Sequence, residues 1–294
     1  MTRIAVVGSI NVDYVWHGAR LPATGETIGD GELVRSFGGK GANQAAAAAR
    51  LGADVFFVGA VGDDDIGAAA RADLAASGVD CSALVVLPGC ATGVALINVA
   101  ETGQNTITVA PGANHRGELD AIRLVLQLPA SRPDVLLTGY EIGSARAAGA
   151  LEAARAFGIT TISNPSPAET DLPSSHVALA NSDVVIVNDL EAEAYGGPEA
   201  LLALGAESVV VTHGRTGASR FDGSGVVRAD GLDIDAVDST GAGDAFCAAY
   251  ALRRDLAFAC AAGALACRAL GARAAQPTVA EIDALLTEQP RSRP

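Results

Sequence analysis

Apolar positions along this chain fall into two modes. Unbroken apolar runs of strand length occur at "IAVVG" from Ile4, "VFFVGAVG" from Val55, "VLLTG" from Val135, "TTIS" from Thr160, "VVIVN" from Val184 and "SVVVTHG" from Ser208. Between them lie Ala-, Leu- and Arg-rich segments of helix length. A run that is apolar at every position suits a strand covered on both faces, and strand–helix alternation is the βαβ rhythm of a mostly parallel sheet. Helices are predicted over Ala42–Leu51, Ile66–Ser77, Ala145–Phe157, Ala245–Leu252 and Leu256–Leu270. Gly52, Gly78 and Gly158 directly follow the first three, as expected where a helix ends in a left-handed residue. The alternating "GLDIDAV" at 231–237 reads as one more strand.

Two regions break the rhythm. Residues 12–37 read as short extended pieces punctuated by Pro22, Gly25 and Gly29-Asp30-Gly31, and residues 92–112 as two strands around Glu-Thr-Gly-Gln. Both are expected to be antiparallel insertions standing off the main sheet. No fixed-period repeat or low-complexity linker divides the chain, so one α/β domain over residues 1–294 is expected, with only the tail "EQPRSRP" disordered.

Composition removes several functions. A net charge of −14 over 294 residues argues against a nucleic-acid or anionic-membrane partner, both of which reward basic surfaces. Five cysteines, an odd number with no Cys-x-x-Cys pair, and an N-terminus without signal-peptide features point to a reduced, cytoplasmic chain. No apolar run reaches membrane-spanning length, and the four scattered histidines include no His-Glu-x-x-His.

Two glycine-rich stretches carry the candidate chemistry. In "FGGKGANQAAAAARLG" the polar Lys40, Asn43 and Gln44 stand beside a tight turn; Gly39-Lys40 is followed by Gly41 rather than Ser or Thr, so this is no Walker loop. "VVGSINVD" likewise lacks the spacing of a dinucleotide-binding turn. In "DSTGAGDAF", Gly241 and Gly243 let backbone amides turn inward where a helix begins at about Ala242, a nest suited to a phosphate or a transferring phosphoryl group. A carboxylate, Asp244, sits in that first turn, where an acid that merely complements the helix dipole is the bland alternative.

Together these stretches resemble the ribokinase-like (PfkB) carbohydrate kinases, from about Ile4 to Leu286. Smaller matches follow the family's order: "GSINVD" at 8–13, "VGDDDIG" at 61–67, "TGVALI" at 92–97, "NPSPA" at 164–168, "NDLEAE" at 188–193, "VVVTHGRTGA" at 209–218 and "AAQPT" at 274–278. The resemblance implies a three-layer ribokinase-like α/β fold with a mostly parallel central sheet and a small β-lid from about 12–37 and 92–112. It also implies transfer of the ATP γ-phosphate to a sugar hydroxyl, with Asp244 as general base and Gly241, Ala242 and Gly243 as the anion hole.

The resemblance further assigns Asn11, Asp13, Gly39, Lys40, Asn43 and Glu141 to the sugar, although Asn11 and Asp13 read equally well as turn residues. Asn188, Thr212, Gly214, Arg215 and Gly217 are assigned to the nucleotide, and Glu191 to Mg²⁺ through water. Asp238, Thr240 and Thr278 are implied as ligands of an activating K⁺, and a homodimer formed through the lid is implied as the assembly. D-ribose is the first-choice acceptor; deoxyribose, a nucleoside or another furanose are alternatives, as is a catalytically silent sugar-binding regulator. The chain departs from the family's pattern at Cys260, at Thr138-Gly139-Tyr140, and in "CRALGARAAQPT", which is longer than the typical segment.

Overall fold

The computed structural model describes residues 1–117 and 132–289. Residues 290–294, most of the tail expected to be disordered, lie outside the described residues. A nine-stranded sheet forms the centre, in the order β13-β12-β11-β10-β9-β8-β1-β4-β5. Its parallel part comprises β1 (Arg3–Val7), β4 (Asp54–Gly62), β5 (Leu84–Leu87), β8 (Val135–Gly139), β9 (Thr160–Asn164), β10 (Val184–Asn188) and β11 (Ser208–Thr212). A hairpin of β12 (Gly217–Asp222) and β13 (Gly225–Asp230) adds two antiparallel edge strands.

The unbroken apolar runs are explained by cover on both faces. On β10, Val184 and Ile186 pack into one core cluster while Val185 and Val187 pack into another; on β8, Val135 and Leu137 face the first and Leu136 the opposite side. The first face carries α1 (Lys40–Arg50), α2 (Asp65–Ala76), α7 (Ala242–Arg253), α8 (Leu256–Leu265) and α9 (Val279–Glu288). On the other lie α3 (Ser144–Ala156), α4 (Pro173–Ala180), α5 (Asp189–Ala194) and α6 (Pro198–Ala203). Helices therefore sandwich the sheet in three layers. The glycines expected to stop α1, α2 and α3 all have positive φ, from 68° at Gly158 to 88° at Gly78.

The insertions fold together as a second sheet, β3-β2-β6-β7, built from β2 (Asn11–Gly18), β3 (Glu32–Gly38), β6 (Gly93–Ala100) and β7 (Asn105–Ala110). Each insertion is an antiparallel pair, as expected, but they join through a parallel β2–β6 ladder, so the small sheet is mixed. A second correction concerns residues 231–237, which form no strand. Their alternation is real, since Leu232 and Ile234 pack against the core, but Asp233 N–H bonds to the Gln289 side chain at 3.0 Å instead of to a neighbouring strand.

Candidate active site

Lys40, Asn43, Glu141 and Asp244 gather where the parallel strands end and two helices begin, the usual location of ligands in open α/β sheets. Gly39, with φ 87°, places α1 close against the turn after β1; a Cβ there would stand 2.8 Å from Ser9 O. Ala42 N–H then bonds to Ser9 O at 2.9 Å, and the first turn of α1 directs Lys40, Asn43 and Gln44 toward the site. Gly241 plays the equivalent part before α7. Its left-handed conformation (φ 81°, ψ −1°) precedes helical residues, and a Cβ would meet Ala272 O at 2.6 Å. A left-handed residue followed by helical ones turns successive N–H groups toward one point. Ala242 N–H is taken by Ser239 O at 3.2 Å, whereas a Cβ on Gly243 would project into open space.

Asp244 is buried in the first turn of α7. Its Oδ2 accepts from Asn43 Nδ2 at 3.0 Å and its Oδ1 from Gln44 Nε2 at 3.2 Å. Gln44 Nε2 also reaches Asn164 Oδ1 at 3.3 Å, and Asn164 Nδ2 donates to Ile186 O at 2.9 Å. Burial pushes the Asp244 carboxyl up to about 6, against the opposing pull of Lys40 and the Asn43 and Gln44 amides. A carboxylate oxygen carrying one donor keeps a lone pair for an incoming hydroxyl. Near neutral pH this group is ionised yet basic enough to take a proton, which suits a general base.

Lys40 is held charged despite burial, because Asp244, Glu141 and Glu191 outweigh desolvation and raise its proton affinity. Glu141, just beyond β8, accepts from Ser9 Oγ at 2.5 Å and from Lys40 N–H at 2.9 Å through one oxygen. Asn11 Oδ1 accepts from Asn114 Nδ2 at 2.7 Å, and Asn114 also brackets both backbone groups of Ile10. Asp13, on β2, is raised to about 6 by burial and by Glu141, with Arg273 opposing. The cleft thus holds three carboxylates, two cations and fixed amides, a set able to bind hydroxyls that both donate and accept.

Glu191, which helps to hold Lys40 charged, forms a reciprocal capping box with Asn188 at the start of α5: Glu191 N–H donates to Asn188 Oδ1 at 2.8 Å and Asn188 N–H to Glu191 Oε2 at 3.0 Å. Thr212 ends β11, and Gly214 and Arg215 form a short 3₁₀ turn leading to Gly217. Among the described residues no cluster of three His, Cys, Asp or Glu could cage a metal. A lone carboxylate such as Glu191 fits Mg²⁺ carried in on a nucleotide, since that ion keeps waters and phosphate oxygens as most of its ligands. Asp238 accepts from Thr240 N–H and Oγ1 at 2.9 and 2.7 Å and from Gly271 N–H at 2.8 Å. Thr278 caps α9 in a box with Glu281.

Sequence reading missed Asn114 and Arg273 and gave Gln44 and Asn164 no partner. Asn114 meets Asn11 across 103 positions, Gln44 meets Asp244 across 200, and Arg273 meets Asn43 across 230.

An ionisable base beside inward-turned amides at a helix N-terminus, in a cleft lined for hydroxyls, defines a phosphotransferase with an alcohol acceptor. Residues 1–279 match the pfkB family carbohydrate kinase, and the chain belongs to that family. It is 34% identical to the ribokinase of Bacillus subtilis over 303 residues, covering 98% of this chain and 100% of the relative. It is 30% identical to the deoxyribokinase of Salmonella typhimurium over 84% of each chain. The structure of Arabidopsis thaliana ribokinase complexed with ribose and ATP matches with a TM-score of 0.84 at 27% identity, over 97% of this chain and 98% of that one.

Proposed function

We propose that this carbohydrate kinase phosphorylates the 5-hydroxyl of D-ribose at the expense of ATP. The observation that carries the reading is Asp244, buried at the amide-rich start of α7 and oriented by Asn43 and Gln44. Asp244 takes the proton of the primary hydroxyl as the hydroxyl oxygen attacks the γ-phosphorus, and the bond from that phosphorus to the β,γ-bridging oxygen breaks, so that ADP leaves. The Gly241 and Gly243 amides and Lys40 meet the charge on the transferring group, Ala242 N–H being taken by Ser239 O; this is mostly a matter of positioning and electrostatics. Asn11, Asp13, Gly39, Lys40, Asn43 and Glu141 hold the sugar. Asn188, Thr212, Gly214, Arg215 and Gly217 hold the nucleotide. Mg²⁺, met by Glu191 through water, supplies charge neutralisation of the phosphates.

Activation by K⁺ and a lid-mediated homodimer belong to the same proposal. Asp238 and Thr240 are tied to the segment before α9, where Val237 and Asp238 N–H both bond to Cys267 O, so an ion there would stiffen the loop that ends in Gly241. Thr278 donates to Glu281 and accepts from it, which leaves the K⁺ assignment resting mainly on Asp238 and Thr240. For the dimer, the lid leaves Leu33, Val34, Leu96, Ile107 and Val109 at least half exposed, an apolar surface that a second copy would cover. Five free cysteines support a reducing, cytoplasmic place of action.

The deciding experiment is ADP release by purified protein with ribose, deoxyribose, fructose and nucleosides. Ribose is expected to give the highest kcat/KM, with Mg²⁺ required. Turnover of deoxyribose or a nucleoside without ribose would overturn the choice of acceptor.

A further inference from the structure

Arg273 lies between α8 and α9, and its guanidinium is largely buried. Nε donates to Asn43 Oδ1 at 3.0 Å, Nη1 bonds to Asp73 on α2, and Nη2 reaches Gly38 O, at the end of lid strand β3, at 3.4 Å. Asn43 carries the contact onward, because its Nδ2 donates to Asp244. A continuous line of hydrogen bonds therefore runs Asp73–Arg273–Asn43–Asp244.

The chemistry of each link fixes its direction. Guanidinium only donates, so Asn43 must offer it Oδ1 and must turn Nδ2 toward Asp244. An amide held that way stabilises the carboxylate over the acid. The charge also acts through space. Burial lowers the proton affinity of Arg273, and Asp73, Asp13 and Asp244 all act to restore it. Arg273 in turn opposes the rise at Asp13. The other charged groups that bear on these carboxylates are Lys40 and Glu141 at Asp244, and Glu141 at Asp13.

We propose that Arg273 is a positioning residue of the acceptor cleft, locking the Asn43 amide against Asp244 and presenting one fixed positive charge to Asp13 and Asp244. The proposal rests on the reading of Asp244 as general base, and it gives the segment between α8 and α9 a function: it delivers a second cation beside Lys40. It also ties that cation to the lid through Gly38.

Two substitutions separate charge from geometry. Arg273→Met removes both, and Arg273→Lys keeps the charge but cannot span Asn43 and Asp73 as a planar fork does. The readouts are ¹³C carboxyl titrations of Asp13 and Asp244, the side-chain amide resonance of Asn43, and the pH profile of kcat/KM. In Arg273→Met both carboxyls are expected to titrate roughly one pH unit higher. The acid limb of kcat/KM should move with them, so that the loss at pH 6 exceeds that at pH 8.5 by about fivefold. In Arg273→Lys the limb stays in place while kcat falls and the Asn43 amide resonance shifts. Unmoved carboxyl titrations in Arg273→Met, with only a lower Tm, would overturn the proposal. If that variant does not fold, an unshifted Asn43 amide and an unchanged kcat in Arg273→Lys would do the same. Asp244→Asn distinguishes the underlying reading. Full turnover in that variant removes the base assignment, while the Asp13 titration and the Asn43 amide still decide the role of Arg273.

Discussion

Replacing Asp244 with Asn should move activity and stability in opposite directions. The carboxyl titrates at about 6 in the folded protein against an ordinary 3.8, chiefly because of burial. Each pH unit is about 1.4 kcal/mol, so roughly two units correspond to about 3 kcal/mol of folding free energy lost at neutral pH. The sign follows from the direction of the shift. With its folded value raised, the unfolded chain releases the proton first, and the penalty is absent below pH 3.8 and complete above about pH 6. Asparagine carries no such penalty. Its oxygen can accept from Asn43, and its NH₂ faces Gln44, whose Oε1 is buried without a hydrogen-bond partner among the described residues. A flip of the Gln44 amide pairs Oε1 with that NH₂, but it turns the same oxygen toward Asn164 Oδ1 and puts Nε2 where Oε1 had no partner, at a cost of about 1–3 kcal/mol. The net gain is at most about 2 kcal/mol, or a Tm higher by up to roughly 4 °C for a chain of this size. Loss of the base should cut kcat by about 10²–10⁴-fold. Calorimetry from pH 4 to 8, with single-turnover kinetics, tests both halves. A variant that is destabilised at pH 7.5, or a Tm difference that does not shrink toward pH 4, would refute the burial argument. Retained kcat would refute the base.

Four further outcomes are expected. With Asp244 as the proposed general base, wild-type kcat/KM should be flat near pH 8 and fall as pH drops through about 6, measured at saturating Mg²⁺-ATP. Gly243→Ala places a methyl in open space beside the candidate anion hole, so it should fold with stability unchanged or raised by about 0.5–1 kcal/mol while losing kcat. Asp64 accepts from Gly67 N–H and from both Thr92 donors, so Asp64→Ala should cost about 2 kcal/mol or more by denaturant unfolding. Ile107→Glu combined with Leu96→Glu should give a monomer by sedimentation if the exposed lid surface is the dimer contact.

Much of this architecture was legible because it depends on local pattern. Runs such as Val184–Val187 are apolar throughout since alternate residues enter different core clusters, and Gly52, Gly78 and Gly158 mark helix ends through one residue's φ. Residues 231–237 misled for a related reason: period-two alternation reports that one side is buried, not that a partner strand lies alongside. The parallel β2–β6 junction was hidden because pairing between distant strands leaves no mark on either strand's own pattern. The site divides the same way. Asp244 and the glycines around it form one short motif, whereas Asn114 and Arg273 act through partners that only the folded chain brings near.

The β2–β6 ladder has a consequence for how the chain is made. Asn11 pairs with Gly93, so 93 − 11 = 82 residues must follow before the inner edge of β2 meets its neighbour. At roughly 5–20 residues per second, a ribosome leaves that edge open for about 4–16 s. For the later part of this interval, once Gly38 has been added, the β2–β3 hairpin, with Leu33 and Val34 among its residues, is complete and presents an open edge. Nascent chains on one message would carry such hairpins side by side, and crowding on the polysome is where mispairing between copies should concentrate. The same arrangement means the small sheet is no transferable cassette. Grafting it onto another scaffold would require two separate insertions, each anchored at both ends and placed in matching register.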